Sequence, residues 1–196
     1  KKAVGYSLSY FIHNIELFTF RGWILIFLFY NLSLNKIDSF IEKINPTTII
    51  SIITFLAMPS SVLFNELVKF YKRENILSII MFFAFILPIC LGIFSSSSDI
   101  IILILIIIYG IIIPADSSLI TAGLIESAEK IYKGTTIGMH SFIGFTGSAI
   151  GPIIFGLLLD LGGGQYNYFS WLISFSAVGL IMLIAQLVIK KLIRNN

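Results

Sequence analysis

The chain has 196 residues, of which 57% are hydrophobic and only 12% charged, with a formal net charge of +3 and a mean hydropathy of +0.98. A water-soluble domain carries about 25% charged residues, so this composition excludes a surface solvated by water alone and points to lipid as the solvent. The few basic residues fall in short clusters between apolar runs, which excludes the continuous basic patch that nucleic-acid binding requires.

A hydrocarbon layer about 30 Å thick is crossed by about 20 helical residues. Six stretches meet that length, and the spacing predicts helices over Val4–Leu34, Thr47–Phe70, Ile76–Phe94, Ile100–Ile125, Thr135–Leu161 and Tyr168–Ile189. The separators, Asn35–Pro46, Tyr71–Asn75, Ser95–Asp99, Glu126–Gly134 and Gly162–Asn167, are short, turn-like or charged. None can hold a soluble domain, so residues 1–196 form one all-α, polytopic membrane domain. A secretory signal peptide does not fit the start. The first stretch is long and carries His13, Glu16 and Arg21, unlike a short apolar signal core. The absence of an initiator Met is read as the mark of a fragment.

The first helix holds the densest polar group. Tyr6, Ser9, Tyr10, His13 and Glu16 share an arc of about 120° and Arg21 lies about 20° beyond it, a face suited to lining a water-filled cavity. Ionisable groups inside a membrane are costly and usually mark a pathway or proton relay. His13 and Glu16, three residues apart, can contact each other; the bland alternative is a structural Glu16–Arg21 ion pair, or snorkelling at an interface. Helices two, three and four contain Pro59, Pro88 and Pro114, each able to kink its helix.

Asp116 follows Pro114, with Ser117, Ser118 and Thr121 nearby and Tyr109 and Gly123 on the same face. A lone carboxylate there suits reversible protonation; a charge-paired or backbone-bonded Asp at the bend is the structural alternative. In the fifth helix Gly144, Gly147 and Gly151 recur on one narrow face, where another helix should approach closely. His140 lies on that face and reads first as a packing residue. Asp160 reads as a solvated or capping residue, and Ser95–Ser98 as a tight turn. No zinc-protease motif, nucleophile elbow or P-loop is present, and two histidines with a single Cys90 make no metal or disulfide framework. Neither an enzyme nor a cofactor is expected.

Lys and Arg set the orientation. Lys1, Lys2, Lys69, Lys72, Arg73, Lys130, Lys133, Lys190, Lys191 and Arg194 fall on one side, against Lys36 and Lys43 on the other. Ten against two assigns both termini to the cytoplasm and demands an even number of spans.

These residues also carry a resemblance. Gly110 to Gly164, with Pro114-Ala115-Asp116, Thr121-Ala122-Gly123, Lys133-Gly134, Gly147 to Gly151-Pro152, Gly156 and Asp160, resembles helices ten and eleven of major facilitator superfamily transporters. His13-x-x-Glu16 and Arg21-Gly22-Trp23 look like helix seven of one bacterial subgroup. The stretch Asn65 to Arg73 sits where the superfamily has a glycine-containing cytoplasmic motif, although the glycines are absent here. The resemblance implies the C-terminal half of a twelve-helix transporter of the bacterial inner membrane, with an inverted repeat of residues 1–97 and 98–196. It implies a missing N-terminal six-helix half as partner, a cavity lined by helices one, two, four and five, and lipid against helices three and six. The expected function is alternating-access transport of a small solute, coupled to protons, with His13, Glu16, Arg21, Asp116 and His140 as candidate substrate or proton-pathway residues. A complete six-helix channel, or a half-transporter that self-associates, is the rival from another class.

Overall fold

The computed structural model describes residues 1–34 and 40–194. Lys36 and the first part of the first separator, residues 35–39, therefore lie outside the described residues, and the fold is built from the rest. Among the described residues there are six helices long and apolar enough to cross a bilayer: α1 (Lys2–Ser33), α2 (Pro46–Lys69), α3 (Arg73–Ile93), α4 (Asp99–Ser127), α5 (Lys130–Leu161) and α6 (Tyr168–Arg194). The chain is an all-helical, multi-pass membrane protein. Several helices run past the predicted ends, α3 beginning at Arg73 and α6 reaching Arg194 through a final π-helical turn, Ile189–Arg194. Hydropathy marks where a helix leaves the apolar layer, not where its backbone hydrogen bonds stop.

The prolines act differently in each helix. Pro59 divides α2 into Pro46–Ala57 and Ser60–Glu66. The break is patched locally: Met58 N donates to the Phe55 carbonyl, and the Ser60 hydroxyl donates to Ala57 O at 2.7 Å. Pro114 converts Ile113–Asp116 of α4 to 3-10 helix, whereas Pro88 sits within an unbroken α3. A short helix, Phe40–Ile44, leads into α2, where Asn45 adopts φ 71° and its side chain caps the helix by accepting from Thr47 N at 3.1 Å. Asn tolerates this left-handed conformation better than most residues, and Pro46 follows at the first turn, where its missing N–H costs nothing.

One end of the bundle gathers the basic residues. Gly5 packs on Leu192 and Ile193, which brings the two termini together. Arg73, at the start of α3, forks onto Glu126, at the end of α4, with N–H···O distances of 2.6 and 2.7 Å. The N-terminus, the α2–α3 turn, the α4–α5 turn and the C-terminus thus share one end, as the charge bias requires. The opposite end is tied by Tyr30 Oη to Ser96 Oγ at 2.9 Å and by the Asn31 amide donating to Ser95 O at 3.1 Å, so the Ser95–Ser98 segment is the anchored turn expected of it.

Two apolar cores stack along the bundle. Near the opposite end Phe27, Phe155, Trp171 and Phe175 interlock, with Phe27–Trp171 and Phe27–Phe175 centroids each 5.1 Å apart, edge to face. Such pairs add about 1 kcal/mol beyond their area. Near the basic end Leu77, Met81, Leu119, Leu124 and Met182 form the second core.

The closest approach is between α1 and α5. A Cβ built on Gly147 would lie 2.3 Å from the Phe11 carbonyl oxygen, and one on Gly151 2.6 Å from that of Ile15. A Cβ on Gly144 would meet the Tyr10 ring at 2.2 Å. The glycine face therefore receives α1, backbone against backbone, and Trp23 Nε1 closes the seam by donating to Pro152 O at 3.0 Å. Because backbone atoms cannot rotate away, Gly147→Ala should force the helices apart and destabilise the protein by about 1–3 kcal/mol. Gly138→Ala, on the same helix with nothing within 4 Å of the added atom, should be neutral or slightly stabilising. Reversible unfolding of both variants in mixed micelles checks the contrast; equal effects would rule out the seam.

Candidate functional site

The polar face of α1 turns inward. His13 and Glu16 are each 1% exposed, and Asp116 of α4 is as deeply buried. These residues lie at the seam between the two apolar cores, close to the midpoints of α1 and α4. The 3-10 stretch after Pro114 places Asp116 against α1, where His13 Nδ1 lies 2.7 Å from Asp116 Oδ1. The two atoms approach closely without the alignment of a hydrogen bond, so neither has a hydrogen-bond partner. Asp116 is thus not a lone carboxylate: it faces the His13 imidazole across the helices.

Glu16 does not pair with Arg21. Its carboxyl stands beside the Tyr109 phenol and feels the Asp116 carboxyl, and Glu16 Oε1 and Tyr109 Oη are both buried without a hydrogen-bond partner. Two carboxyls, an imidazole and a phenol therefore occupy one buried compartment, with no Lys or Arg ion-paired to any of them among the described residues. Burying charge without pairing is strongly unfavourable. The three ionisable acid and base groups carry no net charge when they share two protons, either as His13 imidazolium with one neutral carboxyl or as two neutral carboxyls. Loss of one proton leaves a net negative charge in low dielectric, which is costly.

His140 joins this group from α5. Its ring stacks on Tyr10 with centroids 4.2 Å apart and planes 14° apart, and Tyr10 stacks in turn on His13 at 5.8 Å and 14°. The chain's two histidines thus lie along one tyrosine. His140 Nδ1 is 3.4 Å from Ser7 Oγ, and its Nε2 is buried without a partner. The ring of His140 thus packs between helices, while its Nε2 has no hydrogen-bond partner among the described residues. Arg21 is set apart: it is exposed, its guanidinium lies 6.0 Å from the Phe18 ring centroid, and it lines a cleft with Ile53 and Thr54 of α2 and Gly110 and Pro114 of α4.

Tyr10 and Tyr109 are the site residues that the sequence left in the background. Each was signalled by spacing, Tyr10 three residues before His13 and Tyr109 seven before Asp116, but neither carries a charge that singles it out. The candidate side chains do not converge as a set of three or more metal ligands among the described residues.

The His13–Asp116 contact has a measurable consequence. Asp116→Ala strands the imidazole against an empty acceptor position and should lower stability by about 3–5 kcal/mol, more than Asp116→Asn, which keeps a polar partner. In a double-mutant cycle with His13→Ala the two losses should be strongly non-additive; additive losses would show that the pair is not coupled.

No protein-family model, no curated protein and no solved structure matches this chain.

Proposed function

We propose that the chain is the C-terminal six-helix half of a proton-coupled secondary transporter of the major facilitator type, which moves a small solute by alternating access. The observation that carries this reading is the buried His13–Asp116 pair with Glu16 and Tyr109 at mid-depth between two helices. A soluble protein or a purely structural membrane anchor gains nothing from an acid–base cluster held in the middle of the bilayer, where it costs stability. A protein that changes its proton occupancy during a cycle requires one.

The helix pairing supports the same reading. α1 packs on α5, α2 on α4, and α3 on α6. Exchanging the first three helices with the last three maps the α1–α5 pair onto α4–α2 and returns α3–α6 to itself, which is the arrangement of a three-plus-three repeat. Glycines mark the self-paired contact, where Gly92 meets the Leu172 backbone and Gly179 the Phe85 carbonyl. The two helices that bury the smallest shares of their apolar stretches, α2 and α5, are also exchange partners. Their uncovered faces, with Phe55, Val62, Phe142 and Ile153 exposed, suit contact with a second half. The basic end is assigned to the cytoplasm, and the membrane to the inner membrane of a bacterium.

The test is transport in proteoliposomes that contain the whole protein. Glu16→Gln and Asp116→Asn should abolish solute accumulation driven by a proton gradient while solute counterflow, which needs no net proton movement, persists. Unchanged uptake and unchanged pH dependence in both variants would exclude the assigned roles.

A further inference from the structure

Among the described residues Arg21 is the only Lys or Arg away from both ends of the bundle. It lies about 5 Å from the middle of α1, which puts it about 10 Å inside the nearer edge of a 30 Å hydrocarbon layer on which α1 is centred. The cleft it lines agrees with that depth: Gly110, Ile113 and Pro114 are central in α4, and Thr54, Ala57 and Met58 are central in α2. A helical side chain leans toward the helix N-terminus, which directs Arg21 deeper rather than toward the closer surface. Snorkelling to lipid phosphates is therefore out of reach. Glu16 and Asp116, the obvious counter-ions, are turned to Tyr109 and His13, and among the described residues the guanidinium has no ion-pair or hydrogen-bond partner and lies 6.0 Å from the Phe18 ring centroid.

A guanidinium stays charged at any relevant pH and offers a rigid fork of donors matched to a planar oxyanion. Held at mid-depth without a carboxylate, it calls for water or an anion supplied from outside the chain. The adjoining cleft has a volume of about 120 Å³ and a lining that, apart from Arg21 and Thr54, is wholly apolar, with Leu17, Phe20 and Ile53 beside them. That space takes several water-sized groups. The Thr54 hydroxyl donates to its own Ile50 carbonyl at 2.8 Å, so Arg21 is the sole free donor fork in the cleft.

We infer that the Arg21 cleft binds a small organic carboxylate, with the oxyanion on the guanidinium and a short apolar tail among Leu17, Phe20 and Ile53. The inference rests on the transporter reading for its physiological meaning, since it names the solute class, but binding itself does not depend on transport. The cleft lies beside the acid–base compartment on the same two helices, so a carboxylate there neutralises the one charge this region leaves uncompensated.

The experiment measures pentanoate binding to the whole purified protein in a nonionic detergent, by titration calorimetry and by the shift in Tm. Pentanamide, of the same shape without the charge, is the control. Pentanoate should bind and raise Tm, and pentanamide should not. Arg21→Gln should weaken pentanoate about tenfold to a hundredfold, the worth of a charge-assisted hydrogen bond or two, and Arg21→Lys should lose less. Equal binding of the amide, or full affinity in folded Arg21→Gln, would overturn the assignment. So would Arg21-dependent stabilisation by phosphatidylglycerol in nanodiscs with no response to pentanoate, which would make the site one for lipid headgroups. Arg21-dependent pentanoate binding in a protein whose Glu16 and Asp116 variants transport normally would retain the cleft and reject the proton-coupling reading.

Discussion

The close approach of α1 to α5 is the constraint on which the remaining geometry depends. Gly144, Gly147 and Gly151 let the backbones meet at Phe11 and Ile15, and lipid offers no hydrophobic drive that could substitute for such packing. Once Phe11 and Ile15 are held against α5, the helical repeat leaves His13 and Glu16 facing away from the seam, toward α4. The same seam brings Tyr10 across Gly144 and so between the two imidazoles. Adding one carbon to any of these glycines would alter the rotation or separation of α1 and carry the ionisable groups with it.

What α4 presents to that face is set by Pro114. An unbroken α-helix would advance 100° per residue; the 3-10 stretch Ile113–Asp116 departs from that repeat and delivers Asp116 to His13. The aromatic core near one end and the Leu77–Met81–Leu119 core near the other close the compartment along the helix axes. Glu16 and His13 are buried there, and low dielectric strengthens every polar interaction they make. Under the proposed reading, opening this compartment to one side or the other is the event that transport must perform, and the charged latch of Arg73 and Glu126 is the tie between α3 and α4 at the basic end.

Much of the fold was legible in the residues. Six apolar runs, the basic bias of one end and the glycine face of α5 each express a rule that acts locally or along a single helix: length against bilayer thickness, charge against hydrocarbon, side-chain size against helix approach. The polar face of α1 was legible as a face but not in its destination. It was read as a face suited to lining a water-filled cavity, and the structure buries its Ser9, His13 and Glu16 side chains. Likewise helical spacing put His13 within reach of Glu16 on its own helix, with a Glu16–Arg21 ion pair as the structural alternative. Both found partners across helices, because a contact between helices depends on rotation and depth, which helical spacing does not encode.

The amino-acid sequence by itself determined that the chain crosses a membrane six times, that its termini share an end, and that His13, Glu16, Arg21, Asp116 and His140 are the costly groups within the spans. Only the tertiary structure decided how those five divide: four buried around Tyr10 and Tyr109, and Arg21 alone at an apolar cleft. The physical reason is that hydropathy and periodicity are properties of one helix in a uniform medium. The pairing of buried charges is fixed by which faces of separate helices the close-packed glycine seam and the break at Pro114 bring to the same depth.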